Sequence, residues 1–309
     1  MHGVVKSWDG VERLLEHALD NVVKTSAKQH PILMSDAPGT SEADRAKMTE
    51  LLFEKFETPA YFVGTDAVLS VYSAGRTSSM FLDCGYGLTS AMLVHEGFIY
   101  PTTLQMLSVG GQDLSTYLCE LLRDKGALDA APSAITVAND IKERHARVAV
   151  DYAQASFQER GKTGAYVLPD GTAIPLQSEP LRCAEALFQP ALMGRRGTGI
   201  TDMVLDVIHY CDTAASSDDS PIKALTNFLL VCGGGARLPG LEERIVHDVA
   251  ARHRNREFYV SCFDEPERHH AAWLGGSVLA SLPAFVQNNF MSKAEYHESG
   301  ASFINQKCC

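Results

Sequence analysis

The sequence predicts an α/β protein. Three observations carry that class: short apolar runs bounded by turn residues, segments of helical period between them, and glycine-rich loops directly after two of the apolar runs. At 309 residues the chain exceeds the usual single-domain size, so two compact units are expected.

Asp9 to Thr25 reads as a helix with Val11, Leu14, Leu15 and Ala18 on one face, so the chain opens on a helix with no strand before it. HPILMS is a buried-strand candidate ending at the turn residues Asp36-Ala37-Pro38-Gly39. Ser41, with Asp44 three residues on, opens a second helix whose apolar face includes Met48, Leu51, Leu52 and Phe56. PAYFVG is another strand, and Asp66 to Ser73 a short helix. From Ser79, SMFLDCGYGLTSAMLVHEGFIYP reads as a β-meander. Helices are expected over Gly111 to Asp124, with Asp113 in the first turn, and over Ile135 to Ala149. YVLPDGTAIPL is a hairpin turning at Pro169-Asp170-Gly171, and Thr213 to Pro221 a small, polar surface loop. NFLLVCGGGARLPG runs strand, triple-glycine turn and helix, and AAWLGGSVLASL reads as a buried helix. No short tandem repeat is present, but a buried strand ends in a glycine-rich loop twice, at Asp83 and at Gly233.

Composition narrows the function classes. The chain is 45% hydrophobic and 21% charged, ordinary for a globular protein, and no apolar run approaches the ~18 residues of a membrane span. MHGVVKSWDGVERLL lacks the basic flank and apolar core of a signal peptide. Eight scattered cysteines without a Cys-x-x-Cys pair fit reduced, mostly buried thiols of a cytosolic or nuclear protein. A net charge of −11 speaks against direct nucleic-acid binding, and Arg252-His253-Arg254-Asn255-Arg256 reads as a solvated helix end.

Two loops carry the candidate chemistry. FLDCGYG puts an acid at a strand end and then two glycines, whose backbone N–H groups can approach an anion, while Asp83 can hold a metal-bound water. A plain hairpin turn is the alternative. VCGGGARLPG fits neither the dinucleotide nor the phosphate-loop glycine pattern. It either lets a flat ligand lie against bare backbone or simply joins strand to helix. His269-His270 has no further ligands at metal spacing, no Gly-x-Ser-x-Gly elbow exists, and Cys308-Cys309 is expected as an exposed thiol pair without a catalytic role.

The segment from His30 to Thr77 resembles actin without a gap, and LPDGTAIPL, LRCAEALFQPALMG, the triple-glycine loop, PERHHAAWLGGSVLASL and KAEYHESG resemble family landmarks in the same order. The likeness covers essentially the whole chain, with a deletion near residues 155 to 165 and an insertion around Thr213 to Pro221. It implies an actin-like fold of two RNase H-like domains around a nucleotide cleft, the first domain incomplete at its N-terminus. Residues 1–73 with 271–309 would form the outer domain, and 74–270 the inner one with 110–195 as its distal subdomain. It further implies ATP or ADP with Mg. The nucleotide would be held by the hairpin residues Asp83, Gly85, Gly87 and Leu88, and by Gly111, Lys142, Glu143, Gly233, Gly234, Gly235, Leu238 and His269. Lys142 and Glu143 lie in the intact string DIKE; Leu238 replaces an aromatic and His269 a lysine.

The departures from the family point away from catalysis. His2 resembles a residue in the middle of the outer domain, so the first phosphate hairpin and the small filament-contacting subdomain are expected to be missing. An incomplete gene model or a gene fragment is the alternative. Asp66 stands for the glutamine that orients the attacking water, Ser90 for a histidine beside it, and Tyr86 for the second hairpin's metal-side acid. Losing one preorganised electrostatic group costs ~3–4 kcal/mol of barrier, so a poor ATPase, a pseudo-ATPase, is expected. The absent strands would leave an unpaired edge and a bare apolar face on the sheet of HPILMS and PAYFVG. The resemblance thus implies a cytoplasmic, cytoskeletal or assembly protein with a degenerate ATP cleft. Its partners would be proteins (actin, actin-binding proteins or complex subunits), not nucleic acid or membrane. The alternatives are a nuclear actin-related scaffold of a chromatin-modifying complex and a weak filament-forming ATPase.

Overall fold

The computed structural model describes residues 5–128, 133–159, 164–214, 221–253, 256–262 and 269–308. The first stretch runs α1 (Trp8–His17), β1 (Ile32–Asp36), α2 (Glu42–Glu50), β2 (Ala60–Thr65) and α3 (Asp66–Ser73). A meander follows, β3 (Ser79–Cys84), β4 (Thr89–His95), β5 (Phe98–Ile99) and β6 (Gln105–Leu107), then α4 (Gly111–Asp124), α5 (Ala134–His145) and α6 (Tyr152–Gln158). Next come β7 (Gly164–Val167), β8 (Ala173–Leu176), α7 (Glu179–Glu185), α8 (Ile200–Ala214) and α9 (Pro221–Leu225). The chain continues through β9 (Phe228–Cys232), α10 (Leu241–Arg252) and β10 (Tyr259–Cys262). It ends with α11 (Ala271–Ala280), α12 (Pro283–Asn289), β11 (Met291–Ser292), α13 (Lys293–Ser299) and α14 (Ile304–Lys307). The chain divides into two compact units: Met1–Thr77 with Glu96–Phe98 and His270–Cys309, and Ser78–His95 with Ile99–His269.

In the first unit β2 is central, parallel to β1 and antiparallel to β11. β1 is therefore an edge, with no strand on its outer side among the described residues. The faces of this sheet are not bare, contrary to expectation: α11 packs on β1, and Met48 and Arg45 of α2 stand with Met34, Tyr61 and Val63 around a cavity of about 160 Å³. Leu52, Phe53, Tyr61 and Met291 are buried together, and the Phe53 and Tyr296 rings stack at 4.7 Å. Ser41 caps α2 by accepting the Asp44 N–H, as its spacing predicts.

Four readings of this unit need correction. A π-helical turn, Leu51–Lys55, continues α2 and rotates its face, so Leu52 and Phe53 are buried in place of Leu51. α1 is anchored by Lys55, which pairs with Glu12 and with Glu16 (2.7 Å), so only Leu15 reaches the core while Leu14 is 70% exposed. α11 is buried only along Ala271, Gly275, Gly276 and Leu279, and α3 crosses so closely at Gly275 that a Cβ would collide with the Leu69 carbonyl; Trp273 is 71% exposed. Cys308, expected at the surface, is carried by α14 into the core, and Cys309 lies outside the described residues, as does His2.

The second unit is built on the order β10-β9-β3-β4-β5, with β6 also on β4. β3 and β9 are near-continuous apolar runs because both faces of the sheet are covered. They are parallel, and the register pairs Asp83 with Cys232. α5 stops at His145 rather than at Ala149, since the Val148 N–H leaves the helical ladder to donate to the Pro239 carbonyl at 2.8 Å. The surface loop expected over Thr213 to Pro221 lies mainly outside the described residues; Thr213 and Ala214 are still helical in α8. The place of the deletion includes residues 160–163, also outside them. Arg256 is no solvated helix end: it forms a fork on Asp212 (2.9 and 3.1 Å) and donates to Asn227 and Thr226.

Candidate functional site

Because β3 and β9 are parallel neighbours in register, the two glycine loops leave the same end of the sheet side by side, where ligands bind in open α/β sheets. A cavity of about 530 Å³ lies there, wholly within the second unit and of the size that takes a small ligand. Asp83, Gly85, Gly111, Lys142, Glu143, Gly233, Gly234, Gly235, Leu238 and His269 line it, together with Tyr86, Leu114, Asn139, Ala146, Arg237 and Pro239. Gly87 and Leu88 do not line it. Their role is in the turn itself: the Gly85 N–H donates to the Leu88 carbonyl at 2.9 Å.

The hairpin is stapled to α4. The Gly111 N–H donates to the Gly85 carbonyl (3.0 Å), the Gln112 N–H to the Tyr86 carbonyl (2.8 Å), and the Gly110 N–H to Asp113 Oδ2 (3.0 Å). The first amides of α4, which in an open helix end would attract an anion, are thus already used. A Cβ on Gly110 would collide with the Tyr86 carbonyl oxygen, so the close approach requires glycine. The Tyr86 side chain lies over Gly111 and is 68% exposed.

Asp83 sits half-buried between the two loops. Its Oδ1 would stand 2.5 Å from a Cβ on Gly233, and its Oδ2 3.1 Å from one on Gly85. That enclosure desolvates the carboxylate, and burial pushes its pKa up to about 6. Ser90 is buried opposite it in the β3–β4 ladder. Asp66 opens α3 in the first unit.

Lys142 closes the α4–α5 side. Its Nζ donates at 2.9 Å to the Gly111 carbonyl, to Ser115 Oγ and to Asn139 Oδ1, all neutral oxygens. Burial lowers its pKa, against the opposing pull of the nearby Glu143 carboxylate, and among the described residues no carboxylate is hydrogen-bonded to the ammonium, which leaves a cation in this wall to attract an anionic ligand. Sequence reasoning missed Asn139 and Arg237. The spacing of Asn139 to Lys142 and Glu143 on α5 was a usable signal for the first.

The triple-glycine loop is a short 3-10 turn, Gly234–Arg237, held at its far end where Val148 meets Pro239. Among the described residues a Cβ on Gly234 would meet nothing within 4 Å, so this glycine leaves its backbone bare there. Leu238 is buried beneath. These residues fit a flat, anionic ligand such as a nucleotide. For a divalent cation the fit is poorer: Asp83 is the one carboxylate at the hairpin, and no group of three or more His, Cys, Asp or Glu stands at ligand spacing among the described residues.

Paired glycine loops at the end of an α/β sheet, around a ligand-sized cavity, define an α/β protein with a small-molecule cleft. The chain matches the protein-family model for actin over residues 1–136 and 130–309, and it belongs to the actin family. Members generally bind ATP or ADP with magnesium, act through contacts with other proteins and are often cytoskeletal. No helix among the described residues is long and apolar enough to cross a membrane.

Proposed function

We propose that this chain is an actin-like assembly protein of the cytoplasmic cytoskeleton that binds nucleotide without hydrolysing it and acts through protein contacts. The observation that carries the reading is Tyr86, an exposed phenol at the tip of the hairpin where the resemblance puts an acid. A phenol replaces the carboxylate oxygens that a hard cation prefers as ligands. Asp83 alone, desolvated and raised toward 6, is a weak substitute. The cavity keeps what binding needs: the Lys142 cation and the bare backbone at Gly234. The outer edge of β1, which has no strand on it among the described residues, and the exposed Trp273 support a role in protein contacts.

The test follows ATP with the full chain in magnesium. Saturable displacement of a fluorescent nucleotide, with phosphate release no faster than buffer, is the expected result. Steady phosphate release that Asp83→Asn abolishes would overturn the reading. Absence of any nucleotide binding would overturn its first half.

A further inference from the structure

We infer that Asn139 gives this cavity its preference for a charged nucleotide over the neutral nucleoside, by standing between the Lys142 ammonium and the Glu143 carboxylate and keeping the two from pairing. The inference rests on the nucleotide site proposed above and adds the residue that keeps its cation available.

Asn139 lies three residues before Lys142 and four before Glu143 on α5, so the helix period sets it beside both. Lys142 and Glu143 are neighbours in the chain, and successive side chains of a helix diverge. Here both turn back toward Asn139 and meet the two ends of its amide. The Lys142 Nζ donates to Asn139 Oδ1 at 2.9 Å, and Asn139 Nδ2 donates to Glu143 Oε1 at 2.7 Å. The amide can stand only one way round. An ammonium has donors alone and a carboxylate acceptors alone, so the oxygen must face Lys142 and the nitrogen Glu143. Ser115 Oγ donates to the same Oδ1 at 2.9 Å, which holds the amide from α4.

The order ammonium, amide, carboxylate keeps two opposite charges one group apart. Lys142 spends its three hydrogens on the neutral oxygens of Gly111, Ser115 and Asn139. Its charge is therefore solvated by dipoles and not cancelled, and it acts on a ligand in the cavity through space. Glu143 is close enough for its charge to be felt at the ammonium. Without the Asn139 amide, one hydrogen of the ammonium and one carboxylate oxygen would lose their partners side by side, and a direct ion pair would satisfy both. That pair has no net charge, so the wall would then favour a nucleotide no more than a nucleoside. Arg237, and His269 when protonated, are the groups that oppose the inference, since they also line the cavity and can attract a phosphate by charge. Both stay unaltered in every variant below.

The experiment measures ADP and adenosine affinity by calorimetry in magnesium, using the full chain, Asn139→Ala, Glu143→Gln and the double variant. The ratio of the two affinities is the readout, because general damage to the wall lowers both and leaves the ratio alone. The parent should bind ADP tighter than adenosine, by a margin that shrinks as salt rises, since Lys142 acts by its charge. Asn139→Ala should cut the ratio at least about fivefold, within the range of coupling between groups in contact. In the Glu143→Gln background no carboxylate waits for the ammonium, and the same substitution should change the ratio less than about twofold. Asn139→Asp, of the same shape, sets a charge directly on Lys142 and should lower the ratio in both backgrounds; it decides if Asn139→Ala does not fold. A ratio that Asn139→Ala leaves unchanged, or lowers by the same factor with and without Glu143, overturns the inference, as does a ratio that Asn139→Asp leaves unchanged. A parent that binds ADP no tighter than adenosine also overturns it and leaves the site standing. No binding of either overturns both.

Discussion

The two glycine loops of the second unit look alike in sequence but hold their glycines for different reasons. In the hairpin the protein itself demands them: a Cβ on Gly85 would stand 2.8 Å from the Leu88 carbonyl oxygen. In the triple-glycine loop the outer two answer to the same demand, since a Cβ on Gly233 or on Gly235 would stand 2.5 or 2.9 Å from Cys84. Gly234 answers to nothing among the described residues. A glycine kept by packing says that a loop must fold. A glycine facing open space says that something else comes close.

The sharpest way to break that contrast is Gly233→Ala. Gly233 has φ +87 and ψ 164, a region essentially closed to residues with a Cβ, and the added methyl would meet Asp83 Oδ1 and the Cys84 carbonyl at 2.5 Å. Backbone strain and overpacking together should cost roughly 3–5 kcal/mol. Urea denaturation reads the loss directly. A shift below about 1 kcal/mol would show that the loop gives way and that its glycines are not packing residues.

A smaller effect, of opposite sign, should come from Asp83→Asn. The folded pKa of about 6 lies above the ordinary 3.8, so between those values the native state holds a proton that the unfolded chain has released. Stability therefore falls as pH rises from about 4 to 6, and the deficit persists above 6. A two-unit shift corresponds to about 2–3 kcal/mol at most. The asparagine variant has no charge to desolvate. It should unfold at a higher temperature than the parent at pH 7.5 and at much the same temperature near pH 4. Equal melting at both pH values would mean that the Asp83 carboxylate is well solvated.

Much of this arrangement was legible in the residues. The runs SMFLDC and NFLLVC have the length and apolar continuity of covered strands, and each is punctuated by glycine, so strand and loop could be placed without coordinates. The α/β class followed from them, and α3 and α4 fall where period and turn residues put them. What the sequence could not show was tertiary. The Val148–Pro239 hydrogen bond ends α5 four residues early, and the π-turn at Leu51 re-aims α2. The parallel register of Asp83 with Cys232 brings the two loops together from opposite halves of the chain. Arg237 escaped notice because a lone arginine after glycines carries no signal until the 3-10 turn fixes which way it rises. The π-turn and the closeness of Gly275 to α3 depend on neighbours far away in sequence, which local pattern does not encode.

The smallest expected change in stability sharpens the comparison most. Gly234→Ala puts a methyl where nothing among the described residues stands within 4 Å, at a backbone position without a positive φ. By the logic of packing it should be tolerated, and because alanine has fewer unfolded conformations it should stabilise the chain by about 0.4–1 kcal/mol. By the logic of the cavity it should do harm, because the methyl would occupy the space in which a flat ring is proposed to touch the backbone. The two readouts therefore move apart: the unfolding midpoint holds or rises, while affinity for a fluorescent nucleotide drops on the order of tenfold, about 1.4 kcal/mol of lost contact. Loss of both would return Gly234 to the same class as Gly233. Loss of neither would mean that the bare backbone is only a strand-to-helix connection, and that whatever enters the cavity leans on its other wall, at Lys142 and Glu143.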